Sequence, residues 1–167
     1  MTATLPIRGH PAFEPLSPLE ASALLAQARA LQRAAKAGTP QPLLKGKNLG
    51  LLCAAGDDAD ALLFRRAATE LGAHVSHIRP SLSEASTAQE VMHTARLLGR
   101  LYDAVECQGM PPALVGRISQ AAGVPIYGGL ASAAHPTAQL AEELDGGSPC
   151  IENRQFVLQA ALLSHIG

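Results

Sequence analysis

Short apolar runs alternate with segments of helical periodicity along most of this chain. The clearest run is 48–54, which is apolar at almost every position, and further segments that read as strands follow at 73–78, 103–107 and 124–127. A strand that is apolar throughout is buried on both faces, which is typical of a parallel sheet covered by helices. Because parallel strands need helical crossovers, the pattern predicts a four-stranded parallel α/β sheet in a three-layer α/β/α fold.

Helix signals lie between these runs. A capping box with Pro at the first helical position begins at Ser17, and Gly38 ends that helix. A second capping box begins at Thr87 and opens a helix that is expected to end near Gly99. The remaining helices are predicted over 58–71 and 111–122, from about residue 136, and over 151–165.

Length and composition exclude several classes of protein. The chain has 167 residues, which is about the size of one domain, and 47% of them are hydrophobic, enough to build a core. The net charge of −1 lacks the basic excess that binds nucleic acid or anionic membranes. No run reaches the roughly 18 apolar residues of a membrane span, and the first residues lack the order of a secretory signal. We therefore predict a cytoplasmic protein that binds neither nucleic acid nor membrane.

The cysteines and histidines give no sign of a disulfide, metal or cofactor site. Cys53, Cys107 and Cys150 are far apart and odd in number, so all three are expected to be buried thiols. His74 and His77 lie near one another on a strand without a nearby third ligand, which is weak evidence for a metal. We predict neither metal nor cofactor.

Four motifs stand in one order along the chain: LKGKNL at 44–49, TARLLGRLYD at 94–103, VPIYGGL at 124–130 and HPT at 135–137. Together they resemble the carbamoyl-phosphate domain of the transcarbamoylases, and that of ornithine carbamoyltransferase more than that of aspartate carbamoyltransferase. The resemblance covers residues 16–145 and implies the same α/β fold, with a ligand site beyond the carboxyl ends of the strands.

The resemblance also implies a domain organisation. Residues 1–167 are expected to form a single domain with an N-terminal extension at 1–15. The family's amino-acid-binding domain, which would follow residue 144, is expected to be absent. Residues 148–167 resemble the family's C-terminal helix, which packs back on the carbamoyl-phosphate domain. This helix is expected to pack through one apolar stripe, formed by Phe156, Ala160 and Leu163.

The turn that holds phosphate in the family differs here in charge. The family uses Ser-Thr-Arg-Thr at a helix N-terminus, and the matching positions in this chain are Asp57, Asp58, Ala59 and Asp60. A family Arg at the end of the third strand is matched by Gln108. Carboxylates repel a phosphate dianion, so the resemblance implies an altered, acidic pocket. The alternative is structural: Asp57 or Asp58 caps the helix, as acidic residues in a first turn commonly do.

The family's His-Pro-Thr-Gln motif is only partly kept, as His135, Pro136 and Thr137 followed by Ala138. His135 matches the histidine that polarises the carbamoyl carbonyl, and with Thr137 it is assigned to a vestigial substrate pocket. The alternative is a structural role for His135 at the start of a helix. Residues 82–89 match a loop that reaches a neighbouring subunit's site in the family trimer, and they contain neither Lys nor Arg.

Three functions remain open, and we favour the first. It is a non-catalytic paralogue that self-associates, by resemblance as a trimer, and acts structurally or regulates a partner protein that the sequence does not name. The second is a small-molecule binding module for a cationic or neutral ligand. The third is an active carbamoyltransferase of amino-acid metabolism. No catalytic residue is assigned, and the pocket of the second function is expected to be lined by Asp57, Asp58, Asp60, Gln108 and His135.

Overall fold

The computed structural model describes residues 15–144 and 147–166. The extension predicted at 1–15 therefore lies outside the described residues except for Pro15. No helix in the described part is long and apolar enough to cross a membrane. The elements are α1 (Pro18–Lys36), β1 (Asn48–Leu52), α2 (Ala59–Glu70), β2 (His74–Ile78), α3 (Ala88–Leu101), β3 (Ala104–Cys107), α4 (Pro112–Ala122), β4 (Ile126–Gly128), a 3₁₀ helix (Pro136–Glu143) and α5 (Cys150–Ile166).

The four strands form one parallel sheet in the order β2-β1-β3-β4. Leu51 of β1 is level with Glu106 of β3, which is level with Tyr127 of β4. Because all strands run the same way, the turns that follow them gather at one edge of the sheet, where ligands of such sheets bind. The predicted four-stranded parallel α/β sheet is confirmed.

The helices cover both faces of the sheet. One face carries Leu51 and Tyr127 and packs against α1, α2, the 3₁₀ helix and α5. The other carries Leu52 and Ile126 and packs against α3 and α4. Side chains alternate between the two faces along each strand, so two separate apolar layers form around one sheet. This is the predicted three-layer arrangement.

Two predicted boundaries shift by one or two residues for identifiable reasons. Helix α3, expected to end near Gly99, continues two residues further, to Leu101. A Cβ on Gly99 would lie 1.9 Å from the carbonyl oxygen of Ala122 at the end of α4, so this glycine allows two helices to approach closely. Strand β4 was predicted over 124–127 and spans Ile126–Gly128 instead, because a proline at position 125 has no N–H for the strand ladder.

Helix α5 is more enclosed than a single apolar stripe predicts. It packs against α1, α2 and the 3₁₀ helix, and it buries polar as well as apolar side chains. Gln32 of α1 donates to Asn153 over 3.2 Å, and Gln159 donates to the carbonyl oxygen of Ala67 in α2 over 3.1 Å. Phe156, expected in the stripe, is only half-buried. Amide hydrogen bonds thus fix α5 between the chain's first two helices.

The cysteines follow the prediction at two positions of three. Cys53 and Cys107 are buried, whereas Cys150 is exposed at the first residue of α5, so the expected burial of Cys150 is wrong. Burial, with a smaller contribution from the nearby Glu106 carboxyl, raises the pKa of Cys107 to about 12. This thiol therefore stays protonated and packs as a small apolar side chain.

Candidate functional site

A cleft of about 720 Å³ opens at the carboxyl edge of the sheet, beyond β1 and β3. Asp58 and Asp60 reach it from the turn between β1 and α2, and Gln108 reaches it from the end of β3. The structure thus brings three of the predicted site residues together. Asp57 is exposed and does not line the cleft.

The acidic turn is a helix cap as well as a source of negative charge. The Asp58 carboxylate accepts a hydrogen bond from the backbone N–H of Ala61 over 2.7 Å, which is the expected N-cap geometry. Asp60 lies half-buried in the first turn of α2, and Glu84 adds a carboxylate from the segment after β2. Neither Lys nor Arg is found among the described residues that line the cleft. The cleft is therefore anionic.

Gln108 is the most unusual polar group in the cleft. Its side chain is 7% exposed, yet neither the amide nitrogen nor the amide oxygen has a hydrogen-bond partner. A buried polar group without a partner costs about 1–3 kcal/mol of stability. This side chain can therefore both donate to and accept from a molecule that enters the cleft.

Cys53 is the thiol that lines the cleft. Burial is the largest cause that raises its pKa; Asp58 and Glu106 raise it further, and Arg65 lowers it. Since the thiolate is the nucleophilic form, this environment works against a reactive cysteine. The cleft supplies carboxylates and an amide rather than a thiolate nucleophile.

His135 and Thr137 do not share this cleft, contrary to the expected single pocket. Both line a separate pocket of about 210 Å³ that adjoins α1 and α5. His135 is the N-cap of the 3₁₀ helix, and its Nδ1 lies 3.2 Å from the Thr137 backbone N–H and 2.8 Å from the Thr137 hydroxyl. His135 therefore lies at the start of a helix, where its alternative structural role would place it.

A buried carboxyl group, which the sequence analysis missed, holds the turn after β4 in place. Glu106 is 0% exposed, and its two carboxyl oxygens accept from the backbone N–H groups of Leu130 and Ala131 over 3.1 and 3.2 Å. Burial raises its pKa to about 7, although the backbone hydrogen bonds act in the opposite direction. The available signal was an acidic residue in the middle of the predicted buried strand 103–107.

Tyr127 is a second missed residue, and it lies beside Glu106 on the same face of the sheet. Its ring is 3% exposed and makes an edge contact with the ring of His165, with 5.7 Å between centroids. Its hydroxyl group is buried without a hydrogen-bond partner, and burial followed by the Glu106 charge raises its pKa. The residue lines the same pocket as His135.

The acidic and histidine residues of the described segments are not grouped as metal ligands. Within 15–144 and 147–166, no group of three or more His, Cys, Asp or Glu side chains is arranged to hold a metal ion. His77, one of the two strand histidines, instead places its Nε2 2.8 Å from the backbone oxygen of Cys53.

Comparison with known families shows which family the chain belongs to. Residues 12–145 match the family described as aspartate/ornithine carbamoyltransferase, carbamoyl-P binding domain. The chain belongs to the aspartate/ornithine carbamoyltransferase family. The resemblance inferred from the four motifs is confirmed, and the cleft lies within the residues that match the family's carbamoyl-P binding domain.

Curated relatives are matched over part of their length. The ornithine carbamoyltransferase of Actinobacillus pleuropneumoniae serotype 5b is 39% identical over 144 residues, which are 86% of this chain and 42% of that protein. The ornithine carbamoyltransferase of Cutibacterium acnes is 40% identical over 121 residues, which are 72% of this chain and 36% of that protein. The transcarbamoylase-like chain thus spans about two fifths of the length of the relatives it matches.

Solved transcarbamoylases share the fold. Ornithine carbamoyltransferase from Pyrococcus furiosus superposes with a TM-score of 0.64 at 27% identity, over 75% of this chain and 40% of that one. The catalytic subunit of M. jannaschii aspartate transcarbamoylase gives a TM-score of 0.61 at 23% identity, over 76% of this chain and 42% of that one. At that lower identity the second likeness concerns the fold alone.

Proposed function

We propose that this chain is a non-catalytic member of the transcarbamoylase family that self-associates and serves a structural or regulatory role. The observation that carries the proposal is the charge of its cleft. Asp58, Asp60 and Glu84 line a space without Lys or Arg among its described residues. The relatives are named as enzymes, so the proposal separates the function of this chain from theirs.

Electrostatics argue against carbamoyl phosphate in this cleft. Two like charges 4 Å apart repel by about 4 kcal/mol at an effective dielectric constant of 20. Catalysis of carbamoyl transfer requires the phosphate charge to be neutralised as the leaving group forms. Gln108 offers hydrogen bonds to an oxygen but no positive charge. The cleft therefore disfavours both the substrate and the transition state.

The position of His135 supports the same proposal. A histidine that polarises the carbamoyl carbonyl has to reach the bound substrate. Here His135 caps the 3₁₀ helix and lines a pocket beside α1 and α5. It also lines a smaller pocket with Gly109 and Met110, but it is not among the residues that line the cleft with Asp58 and Gln108. The described lining of the cleft therefore holds neither an imidazole nor a Lys or Arg.

Thermal unfolding with millimolar carbamoyl phosphate tests the loss of substrate binding, with inorganic phosphate as the control anion. A ligand at 100 times its Kd would add about 2.7 kcal/mol to the stability. We expect no rise in Tm with either anion. A rise that is specific for carbamoyl phosphate would contradict the proposal and restore an active carbamoyltransferase as the leading function.

Self-association is the second part of the proposal. Its support is the family resemblance, together with two exposed apolar side chains one turn apart on α3, Leu97 and Leu101. Light scattering should give a mass near three times the 17.3 kDa of the chain. Leu97→Glu should lower that mass, and a wild-type chain that remains monomeric at about 100 μM would overturn this part.

A second candidate function is a binding module for a small cationic or neutral ligand. The unpartnered Gln108 amide favours it, because a ligand with a carbonyl group and N–H groups would satisfy both halves of that side chain. The nearby carboxylates of Asp58 and Asp60 would stabilise an ammonium group.

Glycinamide, which has an ammonium group and an amide, is a suitable probe, with acetamide as its uncharged control. We expect saturable binding by calorimetry that Gln108→Ala weakens for both probes. Asp60→Asn should weaken glycinamide binding alone, because only that probe carries a charge. Equal effects of Asp60→Asn on the two probes would contradict the assigned role of the carboxylate.

A further inference from the structure

A second pocket, separate from the anionic cleft, lies between α1, the 3₁₀ helix and α5. Its volume is about 210 Å³, and most of its lining is apolar. Tyr127 lines it from β4. For comparison, an apolar cavity of about 150 Å³ holds a benzene ring. The pocket therefore has the size for a substituted six-membered ring. Its apolar lining includes Leu24, Leu130 and Ala161.

The Tyr127 hydroxyl group is the polar feature of this pocket that favours a bound ligand. The side chain is 3% exposed, and the hydroxyl oxygen has no hydrogen-bond partner. Burial and the neighbouring Glu106 raise the pKa of the phenol, so the hydroxyl stays protonated at neutral pH and presents a donor. A buried donor of this kind is satisfied when an acceptor oxygen enters the pocket.

The charges near the pocket select against an anion. The Glu20 carboxylate lines it, and Glu106 lies beside Tyr127 on the sheet. Neither Lys nor Arg is found among the described lining residues, although the imidazoles of His135 and His165 are present. A carboxylate or phosphate ligand would therefore meet like charge without a permanent counter-charge. A neutral acceptor such as a carbonyl oxygen meets no such repulsion.

We propose that this pocket binds a small neutral molecule with an apolar ring-sized body and one carbonyl oxygen, a ketone, ester or amide, that accepts a hydrogen bond from Tyr127. The site is distinct from the cleft, so it does not depend on the proposed loss of catalysis. His135 lines this pocket and also a smaller one with Gly109 and Met110, which themselves line the cleft. A bound molecule would thus contact the residue that stands between the two sites.

Acetophenone and α-methylstyrene form a matched pair of probes, because they share a shape and differ by a carbonyl oxygen against a CH₂ group. Amide NMR shifts of the ¹⁵N-labelled full chain report both the affinity and the location of binding. We expect acetophenone to bind about tenfold more tightly than α-methylstyrene, with the largest shifts around Leu130, Ala161 and Ser164.

Tyr127→Phe should abolish the tenfold preference, since it removes the donor and leaves the ring. Tyr102→Phe is the control, because Tyr102 packs in the layer on the opposite face of the sheet, and it should keep the preference. Equal affinity for the two probes in the wild type would overturn the proposal. A preference for acetophenone that survives in Tyr127→Phe would also overturn it. So would amide shifts centred on Gln108, or the absence of a saturable shift up to the solubility limit of acetophenone.

Discussion

The turn after β1 and the turn after β4 are built alike, but their cap residues line different pockets. Each ends in a residue with extended backbone whose side chain caps the next helix, Asp58 for α2 and His135 for the 3₁₀ helix. The first turn presents the carboxylates of Asp58 and Asp60 to the cleft. The cap of the second turn, His135, lines a different pocket.

A helix cap and a ligand site require different properties of the residues in the same turn. A cap requires only an acceptor for a free backbone N–H, and Asp58 meets that requirement while it reverses the charge of the site. His135 also meets it, through Nδ1. Folding can therefore preserve the structure of either turn whatever chemistry the site performs, and a cap residue is not by itself evidence of an activity.

The largest expected effect concerns the buried group beneath the second turn. Glu106→Ala should lower the free energy of unfolding by about 2–6 kcal/mol, because the N–H groups of Leu130 and Ala131 lose their acceptors at about 1–3 kcal/mol each. Urea denaturation measures the loss. Glu106→Gln keeps one acceptor oxygen and should lose about half as much. A Glu106→Ala loss below 1 kcal/mol would show that Glu106 does not anchor the turn.

The next largest expected effect is the pH dependence of stability that Glu106 gives to the turn after β4. The pKa of Glu106 in the folded chain is raised from 4.5 to about 7, so between these values the folded state holds a proton that the unfolded state has released. Stability from this group is therefore fully present below pH 4.5 and falls as pH rises through 7, by roughly 3 kcal/mol in total.

The difference between wild type and Glu106→Gln isolates this contribution, since glutamine does not titrate. Chemical denaturation at pH 5, 6, 7 and 8 should show the wild type losing stability relative to the variant. A difference that stays constant over this range would contradict a raised pKa for Glu106.

The smallest effects test the caps themselves. Asp58→Ala and His135→Ala should each cost about 1 kcal/mol, because each leaves a first-turn N–H without its side-chain acceptor. Asp58→Ser keeps an acceptor without the charge and should be nearly neutral in thermal unfolding. If Asp58→Ser were as destabilising as Asp58→Ala, the carboxylate charge rather than the cap would be what stabilises this turn.

The sequence was sufficient for the sheet, and it limited the cap of α2 to Asp57 or Asp58, of which the structure has Asp58. Apolar runs and capping boxes encode local structure, so the strands, the helices and the possible cap at Asp58 could be predicted. The anchor at Glu106 could not, because its partners are backbone N–H groups about 24 residues further along the chain. Likewise, the spacing of the motifs does not reveal that His135 and Gln108 line different pockets.

The position of α5 in the fold affects the order in which the parts of the chain fold. The hydrogen bond from Gln32 to Asn153 joins residues 121 positions apart, whereas α3 and α4 are near neighbours along the chain. Closing a long loop costs more entropy than closing a short one, and long-range contacts slow folding. The layer of α3 and α4 can therefore form early, while the opposite face of the sheet stays open to water until α5 docks.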